Sequence, residues 1–91
     1  ASETPGGILS SVLGSDGSGG DHLILPGGGS EHPASHETID QGLHYARMNG
    51  REVFRFATRT MDKAARQACE KAGVPLDDVE LFIPHQANIR I

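Results

Sequence analysis

The chain has 91 residues, of which 36% are apolar, and it contains no Trp, one Tyr and three Phe. Such a chain is at most one small domain with a thin hydrophobic core. Its formal net charge of −4 argues against a general binder of nucleic acid or of anionic membrane surfaces, which would carry a basic excess.

The sequence also restricts the cellular compartment in which the protein is expected. The single cysteine, Cys69, excludes an internal disulfide and agrees with a reducing cytoplasm. No apolar run approaches the ~20 residues that cross a bilayer, and residues 1–8 have neither the basic nor the apolar region of a signal peptide. Because the chain does not start with Met, we expect it to begin inside a longer protein. These features predict a cytoplasmic protein with no membrane or nucleic-acid partner.

Residues 1–50 form a strand- and loop-rich first half. Residues 7–14 (GILSSVLG) predict a short apolar strand bounded by glycines, and the following SDGSGGD predicts a turn. HLILP is a second short apolar run, which Pro26 ends, and residues 43–48 (LHYARM) are compatible with another short strand. The intervening GGGSEHPASHET predicts a loop that is either functional or disordered, because it is long for a compact domain.

Residues 51–91 predict a helix, a turn and a strand. No Gly or Pro occurs from 51 to 72, where apolar residues recur at spacings of three and four, as on one face of a helix: Phe54, Ala57, Met61, Ala64, Ala68 and Ala72. Gly73 suits the C′ position that ends a helix, and Pro75 prevents its continuation. PLDD predicts a turn, and residues 79–83 (VELFI) predict a strand buried on both faces. Helix, turn and buried strand together indicate an α/β fold.

The chain closes on polar side chains directly after this strand. Pro84 ends the strand because it has no N–H to donate, so His85 is predicted just beyond the carboxyl end of a strand, where α/β sheets gather functional groups. Imidazole can donate a hydrogen bond to a developing oxyanion. Gln86 and Asn88 add neutral donors, and Arg90 offers a fork suited to phosphate or carboxylate. A loop or helix-capping histidine is the alternative for His85.

The sequence FIPHQANIRI, residues 82–91, resembles the histidine motif of β-ketoacyl-acyl-carrier-protein synthase III. The upstream run MNGREVF, residues 48–54, is similar to the M-x-G-x-E-V-F segment of the same family, at the family's distance from the histidine. The stretch from Gly7 through Asp16-Gly17-Ser18 to Pro26 also follows the family pattern. The resemblance therefore covers nearly the whole chain, and the pairing of the two motifs is specific.

This resemblance implies an interior fragment of a thiolase-like fold, in which a helix packs on a mixed β-sheet and two pseudo-symmetric halves form a domain pair. It implies a decarboxylating Claisen condensation that initiates fatty-acid biosynthesis. In that reaction a cysteine takes an acyl group from acyl-CoA, and the carbanion left when malonyl-acyl-carrier protein loses CO₂ attacks the thioester. By this resemblance His85 would hydrogen-bond the malonyl thioester carbonyl and stabilise the enolate.

The resemblance also implies substrate contacts. The pantetheine channel would be lined by Leu23, Met48, Gly50, Phe54, Ala87 and Asn88. Contacts with the acidic acyl carrier protein would come from Gln86, Arg90 and Arg55. No cofactor is implied beyond the substrates acyl-CoA and malonyl-acyl-carrier protein, and the parent enzyme is expected to be a homodimer.

The chain lacks two residues of the family pattern, the nucleophilic cysteine and its partner asparagine. The nucleophilic cysteine of the family lies upstream of these residues and its partner asparagine lies downstream, so the parent is predicted to be an acyltransferase and this chain alone to be inactive. Cys69 does not replace the nucleophile, because it is predicted near the negative end of a helix dipole, where a thiolate is disfavoured. The chain alone is also expected to fold poorly, because residues 79–83 would lack neighbouring strands.

Three further sequence patterns give weaker indications of function. His32 and His36 have an H-x₃-H spacing, but Pro33 lies between them, so a solvated loop is favoured over zinc and we predict no metal site. GSDGSGGD has no GK[ST] after it, which argues against a phosphate loop. Arginines recur at i, i+4 and form either a solvated face or a basic stripe for an acidic partner: Arg47, Arg51, Arg55 and Arg59. A non-catalytic module that binds an acidic partner through this face is the alternative function.

Overall fold

The fold of residues 6–90 is described here from a computed structural model. Its regular elements are strand β1 (Leu23–Ile24), helix α1 (His36–Asp40), strand β2 (Arg47–Met48) and helix α2 (Gly50–Ala72). Two short 3₁₀ helices, Gly17–His22 and Leu76–Asp78, complete the order. Contacts group the chain into two units, one of residues 15–56 and one that joins residues 6–14 to 57–90. The division of the chain into residues 1–50 and 51–91, which the sequence suggested, stays a prediction.

Helix α2 confirms the predicted helix and adds Gly50 at its start. The Oδ1 atom of Asn49 accepts the backbone N–H of Glu52 at 3.3 Å, which is an N-cap hydrogen bond. The six residues of the predicted apolar face are all half-buried, whereas the charged residues between them are exposed. The periodicity in the sequence therefore identified the side of the helix that faces protein.

The end of α2 is set by Gly73, which has a φ of 69°. The N–H of Val74 donates to the carbonyl of Cys69, and the N–H of Gly73 donates to the carbonyl of Glu70, each at 3.0 Å. This pair of bonds is a Schellman motif, and its left-handed residue is tolerated best when it is glycine.

Gly73→Ala is therefore expected to lower the free energy of unfolding of the full-length protein by about 1 kcal/mol. Urea denaturation followed by circular dichroism measures the change. Gly14→Ala is the matched control, because Gly14 has ordinary φ and an added Cβ there meets no atom within 4 Å. Equal midpoints for the two variants would contradict the role of Gly73.

The unit of residues 15–56 is organised around a two-stranded antiparallel sheet. Leu23 pairs with Met48 and Ile24 with Arg47. Before β1, the predicted turn is the 3₁₀ helix Gly17–His22, where the Asp16 carboxylate accepts the N–H of Ser18 at 3.0 Å. The prediction of a strand over residues 43–48 is right in place but too long, because only two residues of it pair.

Helix α1 begins inside the segment predicted to be a loop, residues 27–38, so that prediction is wrong for residues 36–38. Ser35 caps the helix: its Oγ accepts the N–H of Thr38 at 3.1 Å, and Oγ1 of Thr38 accepts the N–H of Ser35 at 2.9 Å. This is a capping box in which Thr stands where Glu or Gln is usual. The spacing Ser-x-x-Thr after a proline was the signal for it in the sequence.

Two predicted strands are not formed. Residues 7–14 have no strand partner in the described part of the chain. They run instead beside the last turns of α2, where Ser10 Oγ donates to the Ala68 carbonyl at 2.7 Å and Lys71 Nζ donates to the Ser11 carbonyl at 3.1 Å. Residues 79–83 are likewise unpaired and exposed, so the predicted buried strand is wrong for this chain. A strand needs neighbours to satisfy its backbone groups, and residues 6–90 supply none.

No apolar side chain among residues 6–90 is fully buried. Several large ones are mostly exposed, including Leu9, Leu81 and Ile83. The described residues thus present apolar faces that no core among them covers.

Candidate functional site

His85 follows a segment that lies against helix α2. A hollow of about 380 Å³ lies between this segment and the helix. One wall is formed by Leu76, Val79, Phe82 and Pro84, and the other by Met61, Ala65 and Cys69 of α2. Pro84 is half-buried at the end of this segment, whereas His85 is exposed. Packing of the segment on the helix therefore places the histidine at the point where the chain leaves the helix surface.

The polar residues after Pro84 form a second open hollow of about 380 Å³. Its lining consists of Pro84, His85, Gln86, Asn88 and Ile89. The hollow combines an imidazole and two amides with apolar surface from the proline and isoleucine. These side chains can both donate and accept hydrogen bonds, so they suit a carbonyl or amide group of a ligand.

The backbone orients Asn88 within this hollow. Its Oδ1 atom accepts the backbone N–H of Arg90 at 2.9 Å, which is a local Asx-type turn. With the oxygen engaged in this way, the Nδ2 amino group is the part of the side chain that remains a donor. Arg90 and Ala87 are exposed next to it.

The residues predicted from the resemblance to line a channel divide between the two units. Leu23, Met48, Gly50 and Phe54 belong to the unit of residues 15–56, and Ala87 and Asn88 belong to the other. Within the first unit, Leu23 and Met48 are opposite each other across the sheet and are 59% and 64% exposed. Directly opposed residues point to the same face of a sheet, so the two side chains form one apolar surface.

Gly50 extends this surface at the start of α2. A Cβ built at Gly50 would approach the terminal methyl of Met48 to 4.0 Å, so glycine leaves open space beside that side chain. Phe54 follows one helical turn later, on the same side of α2 as Gly50, and is half-buried. The structure therefore brings Leu23, Met48 and Gly50 together, and the channel that would join them to Phe54 and His85 stays a prediction.

Arg55 lies on the exposed side of α2. Its Nη1 atom is 3.3 Å from Oε1 of Glu52, an i, i+3 ion pair. The predicted stripe of arginines is wrong at its first member, because Arg47 lies in β2 and the helix begins only at Gly50. Arg51 and Arg55 keep the one-turn spacing that the sequence predicted.

Cys69 lies in the last turn of α2 and is half-buried, which confirms the predicted position. Its side chain lines the hollow with Met61 and Phe82, as a small apolar residue would.

Within residues 6–90, no group of three or more His, Cys, Asp or Glu side chains could hold a metal ion. His36 opens α1 whereas His32 precedes it in the loop, and the Glu37 carboxylate accepts a hydrogen bond from the Gln41 amide at 3.0 Å. In the same range, no helix is both long enough and apolar enough to cross a membrane.

Comparison with known proteins identifies the family. No family model matches the chain. A protein of Symbiobacterium thermophilum is 61% identical over 85 residues, and one of Syntrophomonas wolfei is 55% identical over the same length; the match covers 93% of this chain and 26% of each protein. A third, from Chlorobium luteolum, is 48% identical over 93 residues, which cover 100% of this chain and 28% of that protein.

All three of these proteins are named β-ketoacyl-[acyl-carrier-protein] synthase III. The chain spans about a quarter of the length of these relatives. The identity extends over nearly the whole chain and agrees with the resemblance seen in the residues around His85 and Met48. The chain therefore belongs, as a segment, to the β-ketoacyl-acyl-carrier-protein synthase III family.

Proposed function

We propose that the protein containing this segment catalyses the decarboxylative condensation of acyl-CoA with malonyl-acyl-carrier protein, the step that initiates fatty-acid biosynthesis. The observation that carries the proposal is 61% identity, over 93% of the chain, to a protein named for this activity. The activity belongs to the whole protein, because the segment corresponds to about a quarter of it.

In this proposal His85 acts on the malonyl thioester. Loss of CO₂ leaves an electron pair on the carbon next to the thioester carbonyl, and negative charge develops on the carbonyl oxygen. The exposed imidazole donates a hydrogen bond to that oxygen and stabilises the enolate. The carbon then attacks the acyl group held on a cysteine outside this segment, a carbon–carbon bond forms, and the cysteine sulfur leaves as thiolate.

The substrate arm is proposed to contact Asn88 of the hollow, Ala87 beside it and the apolar surface at β1 and β2. The Oδ1 atom of Asn88 accepts the Arg90 N–H, so the Nδ2 group remains available as a donor. Such a donor suits the amides of a pantetheine arm. The apolar surface of Leu23 and Met48, with Gly50 and Phe54, suits the methylenes of that arm. Ala87 would border the same arm.

The carrier-protein contacts are proposed for exposed residues. Arg90, Gln86 and Arg55 are all exposed, and the guanidinium groups suit the phosphate of phosphopantetheine and the acidic surface of a carrier protein. An exposed cation contributes mainly to the rate of encounter, in a salt-dependent way.

The architecture and setting of the parent are proposed from the same family membership. We propose a thiolase-like fold in which α2 packs on a mixed β-sheet, a homodimer, a cytoplasmic location and no cofactor apart from the two substrates. The unpaired segments at residues 7–14 and 79–83 and the exposed apolar side chains support a place for this chain within a larger α/β layer structure.

The test is an assay of the full-length protein with acyl-CoA and malonyl-acyl-carrier protein. We expect β-ketoacyl-acyl-carrier protein and CO₂ in equal amounts. The full-length sequence should also contain a cysteine upstream, at a helix N-terminus, and an asparagine downstream in a loop. A flanking sequence without both, or a protein that forms no acyl-enzyme, would refute the proposal.

The alternative of a non-catalytic module gains no support from the relatives, which all bear the enzyme's name. The structure also shortens the basic stripe on which it depended. Arg47 is in a strand and Arg55 is paired with Glu52.

A further inference from the structure

Strands β1 and β2 are short for the length of chain between them. Each has two residues, and residues 25–46 connect them. Few ladder hydrogen bonds hold such a pair, and a long connection raises the entropic cost of bringing the strands together. The register that places Leu23 opposite Met48 therefore needs support from the connection itself.

That connection holds the most protected positions of the described chain. Gly27 and Thr38 are the residues of the range 6–90 classed as buried, and Thr38 is 9% exposed. The hydroxyl of Thr38 contacts the Nε2 atom of His44 at 2.9 Å. This contact spans from α1 to the segment that leads into β2.

The Thr38 hydroxyl also joins His44 to the start of α1. It lies 3.0 Å from the Ser35 carbonyl, accepts the N–H of Ser35 at 2.9 Å and is 3.4 Å from the Ser35 hydroxyl. A hydroxyl has one proton and two acceptor positions, so it can accept a proton from Nε2 of His44 or donate one to it, according to the tautomer of the ring.

The chain next to His44 is in turn bound to the residues that follow β1. The N–H of Gly27 donates to the Leu43 carbonyl at 2.7 Å, and the N–H of Leu43 donates to the Thr38 carbonyl at 3.0 Å. A Cβ at Gly27 would lie 3.0 to 3.1 Å from Leu43 atoms, two of them backbone, so the two segments approach as closely as glycine permits. The bonds of Thr38, Leu43 and Gly27 thus tie α1 to the residues that follow β1 and to those that precede β2.

We infer that Thr38 and His44 are positioning residues, which hold β1 and β2 in register and thereby fix the apolar surface of Leu23 and Met48. Without this link α1 is no longer bonded through side chains to the segment that leads into β2, and the spacing of the Leu23 and Met48 side chains is less firmly fixed. The link itself stands on the contacts above. Its effect on substrate binding rests on the proposed function, in which that surface receives the pantetheine arm.

The experiment compares four variants of the full-length enzyme. Thr38→Val keeps the shape and removes the hydroxyl, whereas Thr38→Ser keeps the hydroxyl. His44→Gln places an amide nitrogen near the position of Nε2, whereas the shorter side chain of His44→Asn does not reach it. The measured quantities are kcat and KM for malonyl-acyl-carrier protein.

We expect Thr38→Val and His44→Asn to raise KM by roughly threefold to tenfold with kcat within about twofold of wild type, because the contact acts on binding. Thr38→Ser and His44→Gln should keep KM near the wild-type value. A role in folding alone lowers the amount of active enzyme, so a fall in kcat at constant KM would overturn the positioning role. An unchanged KM in folded Thr38→Val would do the same.

If Thr38→Val does not fold, the His44→Gln and His44→Asn pair decides the matter by the same comparison of KM. If the wild-type protein itself shows no condensation, the proposed function is wrong, and the link is judged by amide hydrogen exchange. The N–H groups of Gly27 and Leu43 should then exchange faster in the His44→Asn variant than in His44→Gln. Equal exchange in the two would overturn the link.

Discussion

His85→Ala in the full-length enzyme is expected to lower the rate of malonyl decarboxylation by about 10²- to 10³-fold, the loss typical of removing one oxyanion donor. Acyl transfer from acyl-CoA to the cysteine should remain close to wild type, because that step precedes enolate formation. Release of CO₂ from malonyl-acyl-carrier protein measures the first step, and mass spectrometry of the acyl-enzyme measures the second.

Two further variants sharpen this result. His85→Gln keeps a donor near the position of Nε2 and should retain part of the decarboxylation rate. His32→Ala is the control for loss of a histidine. His32 is exposed, and within residues 6–90 its hydrogen bond is made by the backbone carbonyl, which accepts the N–H of Gly28. If His85→Ala reduced both steps equally, the enolate role would have to be abandoned.

The isolated 91-residue chain is expected to unfold without a cooperative transition. Folded domains are held by buried apolar surface, at about 25 cal/mol per Å², and no apolar side chain among residues 6–90 is fully buried. The residues that would form a core are exposed, Leu81 and Ile83 each to 73%. Ordering the backbone costs about 1–2 kcal/mol per residue, which half-buried contacts do not offset.

Circular dichroism during heating tests this expectation. We expect a weak helical signal from α2, because an isolated helix of this length is marginal in water, and a gradual loss of that signal with temperature. The full-length protein, measured in the same buffer, should melt sharply. A sharp, concentration-independent transition of the 91-residue chain as a monomer would show that the contacts present suffice.

Helix α2 illustrates what could be predicted before the structure. Its apolar face, its end at Gly73 and the late position of Cys69 all depend on residues within a few positions of one another. Helical hydrogen bonds and caps are local, so the spacing of apolar residues and one glycine were sufficient. The motif around His85 was equally readable, because it is a continuous run of residues.

Helix α1 shows a local feature that was missed. Its capping box is formed by Ser35 and Thr38 within a segment whose glycines and proline favoured a loop. The partner of Thr38, His44, gave no signal in the sequence. Only the fold of the connection places its Nε2 atom at the hydroxyl.

The order of residues along the chain was enough to predict the long helix, its end before Gly73 and the motif in which His85 follows Pro84. Which apolar runs become strands depends instead on contacts between segments that are distant in the chain. Residues 23 and 24 pair with 48 and 47, whereas residues 7–14 and 79–83, which are as apolar, remain unpaired. The reason is that a helix satisfies its backbone groups within its own segment, whereas a strand depends on a partner that its own residues do not specify.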